Sequence, residues 1–166
     1  MRAGIALGSN LGNRLENLRE GRRAILDAPG TGPPVFLSPL YATEAVECEE
    51  DAGEFLNAVM EMEFEGEPGE LLRKLKAIEA SMGRPAAHPR NVSRRIDLDL
   101  LYLDAMEVRD ENLQVPHPRM LTRRFVLEPL SDIRAELVLP GQEKPISELL
   151  ALLPESDKVQ RLTNDW

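Results

Sequence analysis

Asp97 and Asp99 sit two apart in the run Ile96-Asp97-Leu98-Asp99-Leu100, and in an extended strand that spacing sends both carboxylates to one face. Two acids side by side repel. The arrangement is costly unless a cation lies between them, and hard oxygen ligands on a rigid strand suit Mg²⁺, which keeps several waters and shares phosphate oxygens. The same spacing also describes an edge strand whose solvent face carries two acids. What favours the metal reading is the neighbourhood. Arg84, Arg90, Arg94 and Arg95 stand just before the strand, so cationic and metal-binding groups converge where a polyphosphate could be held. From residue 84 to residue 124 there are eight arginines, six acids and no lysine. Arginine suits fork-like recognition of phosphate oxygens; the alternative is a set of unpaired surface arginines.

Other chemistries are poorly provided for. There is no G-x-x-x-x-G-K-S/T stretch, so a nucleotide site of the P-loop kind is excluded, and Gly8-x-x-x-Gly12 reads only as a turn. Of two histidines, His88 lies in a proline-flanked stretch and reads as a surface residue. His117, in Val115-Pro116-His117-Pro118-Arg119, is held extended by prolines on both sides, which fits a fixed contact or a structural turn. Cys48 is the only cysteine, so neither an intrachain disulfide nor a cysteine-based metal site can form. It reads as a spectator thiol without a basic partner to activate it.

The elements that must position these residues follow from periodicity. Residues 2–7 read as a buried strand, closed by the turn-rich Gly8-Ser9-Asn10-Leu11-Gly12-Asn13. Leu15, Leu18, Arg22, Ile25 and Leu26 recur at helical spacing, and the Pro- and Gly-rich residues 29–34 stop that helix. Residues 35–43 predict a second strand, and the acidic residues 44–54 a loop. In residues 55–64, Phe55, Asn57 and Val59 alternate with Leu56, Ala58, Met60, Met62 and Phe64, as in a third strand. Pro68 opens a helix with Leu71, Leu72, Leu75, Ile78 and Met82 on one stripe, and Gly83 closes it. Residues 84–94 predict an exposed, mobile loop, and residues 95–103 a fourth strand. The order βαββαβ predicts an α+β, ferredoxin-like core, an antiparallel sheet with helices packed on it. Residues 104–166 then form a C-terminal elaboration.

A chain of 166 residues with 42% hydrophobic and 30% charged residues suits one domain, here residues 1–166, with no run long enough to span a membrane. The first residues run straight into strand-forming sequence without an apolar leader, which predicts a cytoplasmic protein. A net charge of −9 argues against nucleic acid as a partner. The charge is uneven: residues 44–70 hold eleven acids and no Lys or Arg.

Taken together, Gly8-Ser9-Asn10-Leu11-Gly12, Phe55-Leu56-Asn57-Ala58, Ile78-Glu79 through Gly83-Arg84, Arg94-x-x-Asp97-Leu98-Asp99-Leu100, and Val115-Pro116-His117-Pro118-Arg119-Met120 with Arg123 and Phe125 resemble 6-hydroxymethyl-7,8-dihydropterin pyrophosphokinases. The motifs span most of the chain in the family's order and spacing, and the family's ferredoxin-like fold agrees with the element order read separately.

The resemblance implies that Asp97 and Asp99 bind two Mg²⁺ ions bridging the phosphates of ATP. It implies that Arg84 and Arg94 clamp the polyphosphate, with His117 and Arg123 reaching it, and that Lys76 and Glu79 touch the nucleotide. Phe55 and Phe125 would enclose the flat pterin, Asn57 would read its edge, and Thr43 and Val46 match positions where the family offers further groups to that edge. The implied substrates are ATP and the hydroxymethyl pterin, with neither nucleic acid nor membrane as partner and a monomer as the working unit. Where the family usually carries Trp followed by Gly-Pro, this chain has Asn91, Val92 and Ser93, so its loop is atypical, and Asn112 replaces a frequent arginine. Two rivals remain at this level. One is another metal-dependent nucleotidyl or phosphoryl transferase on the same sheet; the other is a binding domain that has lost turnover.

Overall fold

Ala3, Ile5 and Leu7 alternate with Gly4, Ala6 and Gly8 along the first strand, β1 (Arg2–Ser9), in the computed structural model, which describes residues 1–43, 54–83, 94–155 and 159–166. The larger residues face helix α1 (Arg14–Leu26), whose Leu18 and Ile25 are buried against them. Asn13 caps that helix, its side-chain oxygen accepting from the Glu16 N–H at 3.2 Å. Strands β2 (Thr31–Leu37), β3 (Tyr41–Thr43) and β4 (Phe55–Phe64) follow, then helix α2 (Pro68–Ser81) and strand β5 (Asp97–Leu103). β5 pairs β1, β1 pairs β4, and β4 pairs both β2 and β3, every pairing antiparallel. This is the ferredoxin-like βαββαβ core, with α1 and α2 on one face.

Two boundaries differ from the sequence expectation. The stretch around Pro33-Pro34 is part of β2, because both prolines fall in a bulge: Gly32 opposes Glu63 and Phe36 opposes Glu61, so the residues between need no ladder donor. The expected strand 35–43 is two strands, parted at Ser38-Pro39-Leu40. There the Ser38 hydroxyl accepts from the Val59 N–H at 2.9 Å, and β3 gains a further partner in β8 (Val159–Arg161).

Residues beyond β5 do more than decorate. After a two-stranded ribbon, β6 (Val108–Arg109) with β7 (Gln114–Val115), and a single 3-10 turn (Met120–Thr122), helices α3 (Arg124–Arg134) and α4 (Ile146–Ala151) cover the second face of the sheet. A bulge in β5 prepares that face. Leu100 opposes Ile5 and Tyr102 opposes Gly4, so Leu101 is left over, and Leu101 and Tyr102 both turn toward α3 while Leu98, Leu100 and Leu103 face α1 and α2. Gly4 is required beneath the Tyr102 ring, where a Cβ would come within 2.1 Å of a ring carbon. Among the described residues no helix is long and apolar enough to cross a membrane.

One ionic network ties α3 to the sheet. Glu61 is 2% exposed; it accepts the Tyr102 hydroxyl at 2.6 Å and a fork from Arg134, whose Nε lies 2.8 and 2.9 Å from the two carboxylate oxygens. Removing the cation strands a buried carboxylate. Arg134→Ala should lower unfolding free energy by about 3 kcal/mol, while Glu61→Gln with Arg134→Met, which removes both charges, should cost less. Urea denaturation of the three proteins checks this, and an Arg134→Ala loss no larger than that of the double variant would contradict it.

Candidate active site

β1 ends, β4 begins and β5 begins at the same end of the sheet, and α3 starts too late to cover them. The cavity left there is lined by Gly8 of β1, Thr43 of β3, Phe55 and Asn57 of β4, Arg94 before β5, Asp97 and Asp99 at its start, Arg123 just before α3, and Phe125 and Val126 in the first turn of α3. Strand alternation puts Leu98 and Leu100 in the core between α1, α2 and the sheet, so Asp97 and Asp99 emerge on the cavity side, their side chains 26% and 31% exposed. Each acid faces its own arginine: Arg94 Nη1 lies 3.0 Å from Asp97 Oδ1, and Arg123 Nη1 lies 3.6 Å from Asp99 Oδ2. The Arg123 guanidinium also lies over the Phe125 ring, 5.5 Å from its centre.

The uncharged half of the cavity is set by β1. Gly8 opposes Asn57 on one side and Asp97 on the other. A Cβ at Gly8 would sit 3.0 Å from Asn57 Oδ1, 3.7 Å from the Phe55 ring and 4.0 Å from Asp97 Cβ, so a missing side chain keeps the space between amide and carboxylate open. Asn57 is buried and its Nδ2 donates to Thr43 Oγ1 at 2.7 Å, which fixes the amide. Gly8 was expected in a turn; it belongs to the strand. Its role was legible only once the register of β1 between β4 and β5 was known.

His117 runs beside β5, its N–H donating to the Leu101 carbonyl at 2.8 Å. The Arg119 N–H donates to Nδ1 at 3.2 Å, so the neutral ring carries its proton on Nε2. Burial pushes the imidazole below its ordinary pKa; Asp99 opposes the shift, while Arg123 and Arg119 add to it.

Lys76 and Glu79 lie outside the cavity lining. Glu79 is 1% exposed on α2; its Oε1 accepts from the Leu98 N–H at 2.8 Å and its Oε2 from Lys76 Nζ at 3.0 Å. Burial raises its pKa against the pull of the Leu98 N–H and of Lys76. The carboxylate therefore holds β5 at the residue between the two aspartates. Asn112 is exposed in the ribbon turn, its N–H on Asp110 Oδ1 at 2.8 Å. Arg84, Val46, Cys48, His88 and Asn91-Val92-Ser93 lie outside the described residues.

The depressed imidazole gives a pH signature. As pH falls below about 6.5, the unfolded chain binds a proton at His117 before the folded protein does, so the unfolded state holds more protons and stability drops. An NMR titration in metal-free buffer should place the His117 midpoint below the ordinary histidine value, lower still in Asp99→Asn and higher in Arg123→Ala. A midpoint at or above the ordinary value would contradict this electrostatic picture.

Comparison with known proteins bears on the chain as a whole. The family model for 7,8-dihydro-6-hydroxymethylpterin-pyrophosphokinase (HPPK) matches residues 4–135. A 2-amino-4-hydroxy-6-hydroxymethyldihydropteridine pyrophosphokinase of Bacillus subtilis is 40% identical over 129 residues, covering 78% of this chain and 75% of that protein. A folate synthesis bifunctional protein of Arabidopsis thaliana is 42% identical over 130 residues, 78% of this chain but 26% of that protein, so the chain spans about a quarter of that relative's length. Among solved structures, a wild-type Plasmodium falciparum HPPK-DHPS with pteroate superposes with a TM-score of 0.69 at 15% identity, covering 90% of this chain and 42% of that one; at that identity the likeness speaks to the fold. With residues 4–135 of the chain matched by the family model and a relative covered over 75% of its length at 40% identity, this chain belongs to the 7,8-dihydro-6-hydroxymethylpterin-pyrophosphokinase family.

Proposed function

We propose that this chain transfers the β,γ-diphosphate of ATP to the hydroxymethyl group of 6-hydroxymethyl-7,8-dihydropterin, releasing AMP, in folate biosynthesis. In this reading residues 1–166 act as one pyrophosphokinase domain, a cytoplasmic monomer. The observation that carries it is a single cavity with two chemically distinct halves: Phe55, Phe125, Asn57 and Thr43 beside Asp97, Asp99, Arg94 and Arg123. Family membership supports the activity.

The donor set fits Mg²⁺. Asp97 and Asp99 are hard oxygen ligands on one strand face, and among the described residues no group of three or more His, Cys, Asp or Glu could hold a metal ion. The two carboxylates would supply oxygen ligands to the ions, leaving other positions to water and phosphate. When bound, the ions would neutralise phosphate oxygens and make the β-phosphorus more electrophilic.

The chain's own groups do the placing. Arg94 and Arg123, paired with the aspartates in the free protein, would exchange those carboxylates for phosphate oxygens, joined by Arg84. His117, neutral with its proton on Nε2, is suited to donate to a phosphate oxygen. Lys76, its side chain 50% exposed, would reach the nucleotide while Glu79 anchors it. Phe55 and Phe125 would hold the pterin by its faces, with Asn57, Thr43 and Val46 along its edge. The hydroxymethyl oxygen then bonds to the β-phosphorus as the bond from that phosphorus to the α,β-bridging oxygen breaks. AMP departs with that oxygen and the hydroxyl proton is lost. In-line placement and charge neutralisation carry most of such a transfer without a dedicated base.

Formation of AMP from ATP, dependent on both the reduced pterin and Mg²⁺, with a diphosphate ester identified by mass, tests the reading. Asp97→Ala and Asp99→Ala should each lower kcat by about a hundredfold or more without loss of thermal stability, since each relieves a repulsion. Near wild-type turnover at saturating Mg²⁺ in either variant would remove the metal assignment. Phe125→Ala and Asn57→Ala should weaken pterin binding about tenfold and leave the affinity for a nonhydrolysable MgATP analogue unchanged. Calorimetry with both ligands decides it, because the reverse pattern would assign the two halves of the cavity the other way round.

A further inference from the structure

The turn after β1 is built at a cost that its shape alone does not require. Ser9, Asn10 and Asn17 are all buried, Asn10 at 7% exposed, and buried polar side chains are tolerated only when paired. Ser9 and Asn17 pair with each other and Asn17 with Leu11, while Asn10 and Asn17 also reach the entrance to β5, far away in sequence. Asn10 Oδ1 accepts the Arg94 N–H at 2.8 Å, and the Asn10 N–H donates to the Arg94 carbonyl at 3.2 Å. One asparagine thus grips both backbone groups of one residue across 84 positions of chain. Asn17 of α1 braces the turn: its Nδ2 donates to the Leu11 carbonyl at 2.8 Å and to Ser9 Oγ at 3.2 Å, and its Oδ1 accepts from Arg95 Nη2 at 3.4 Å.

We propose that Asn10 is a positioning residue that sets the Arg94 guanidinium for the ATP phosphates by fixing the Arg94 backbone. Arg94 precedes β5 and has no sheet ladder to orient it, yet its guanidinium lines the cavity and meets Asp97 at 3.0 Å. A rotation of that backbone would swing a long side chain through several ångströms, and small misplacements of a phosphate-binding group are expensive in rate. Asn10 is not among the residues lining the cavity, and its described side-chain bond is to the Arg94 backbone, so it acts through Arg94. Asparagine suits the task because its carbonyl is a short, rigid acceptor set beside its own N–H. The aspartate side chain presents the same acceptor; alanine presents none.

The inference rests on the pyrophosphokinase reading, and a double-mutant cycle separates the two. Asn10→Ala, Asn10→Asp, Arg94→Ala and the Asn10→Ala/Arg94→Ala pair are compared in AMP formation, in pterin affinity and in affinity for a nonhydrolysable MgATP analogue. Asn10→Ala should lower kcat about tenfold to a hundredfold with pterin affinity unchanged, and Asn10→Asp should restore most of the rate. In the Arg94→Ala background the same Asn10→Ala change should cost less than about twofold, because coupled residues are not additive. An equal loss in both backgrounds, or no loss in either, overturns the proposal. If the wild-type protein forms no AMP, the functional reading falls, while the cycle read in analogue affinity still supports or refutes the link between Asn10 and Arg94. Should Asn10→Ala not fold, Asn10→Ser replaces it in the cycle, its hydroxyl being too short to reach the Arg94 N–H.

Discussion

Two carboxylates projecting from one face of one strand repel each other, and the cavity end of the molecule is arranged around containing that repulsion. Asp97 and Asp99 are neither buried nor left to solvent; each is half-exposed against an arginine that arrives from a different segment, Arg94 from the chain before β5 and Arg123 from the residue before α3. The strand between them cannot relax by twisting away. The Leu98 N–H is held by Glu79 of α2, Leu98 and Leu100 are locked in the core, and Gly8 of β1 pairs directly with Asp97. Like charges held this firmly on one strand face suit the cation that the proposed function assigns to them.

That preparation uses both faces of the sheet. The face toward α1 and α2 is continuous hydrophobic packing, and it supplies rigidity. The opposite face is divided. Over Val59, Leu101 and Tyr102 it is covered by α3 and α4, and over Gly8, Asn57 and Asp97 it is open. The division comes from residue size along β1, where Gly4 admits the Tyr102 ring and Gly8 keeps open the space between Asn57 and Asp97. Two glycines four residues apart on one strand therefore mark, respectively, the packed and the reactive ends of the same surface.

Much of this was legible in the sequence, for identifiable reasons. The alternation in residues 55–64 and 96–103 placed Asn57 on one face of its strand and Asp97 with Asp99 on one face of theirs, because a two-residue period leaves no other option. The helical stripe of Leu71, Leu75 and Ile78 was equally plain. What escaped depends on pairing between distant segments. Pro33-Pro34 reads locally as a strand breaker, and only the bulge against β4 makes it strand. Residues 104–166 lack a strong period, so their role as the second cover was invisible, as was the Leu101 bulge that turns Tyr102 toward Glu61. Asn10 reads as a turn residue; its grip on Arg94 is a contact between segments far apart in sequence, which no local pattern encodes. Glu79 was legible as a helix residue, but its bond to the Leu98 N–H joins α2 to β5 across distant segments and could not be read locally.

The position of β5 carries one more consequence. It is the last strand of the sheet on its side, and an open strand edge is a template on which another chain can build. Here the outward N–H of Leu98 is occupied by the Glu79 carboxylate and the outward carbonyl of Leu101 by the N–H of His117. Two of the groups that a foreign strand would need are already taken. The strand that bears the two aspartates is thereby a poorer template for edge-to-edge association, and the residues that occupy its edge are drawn from α2 and from the proline-flanked segment beside it, so one bond, from Leu98 to Glu79, both blocks the edge and steadies the strand between the aspartates.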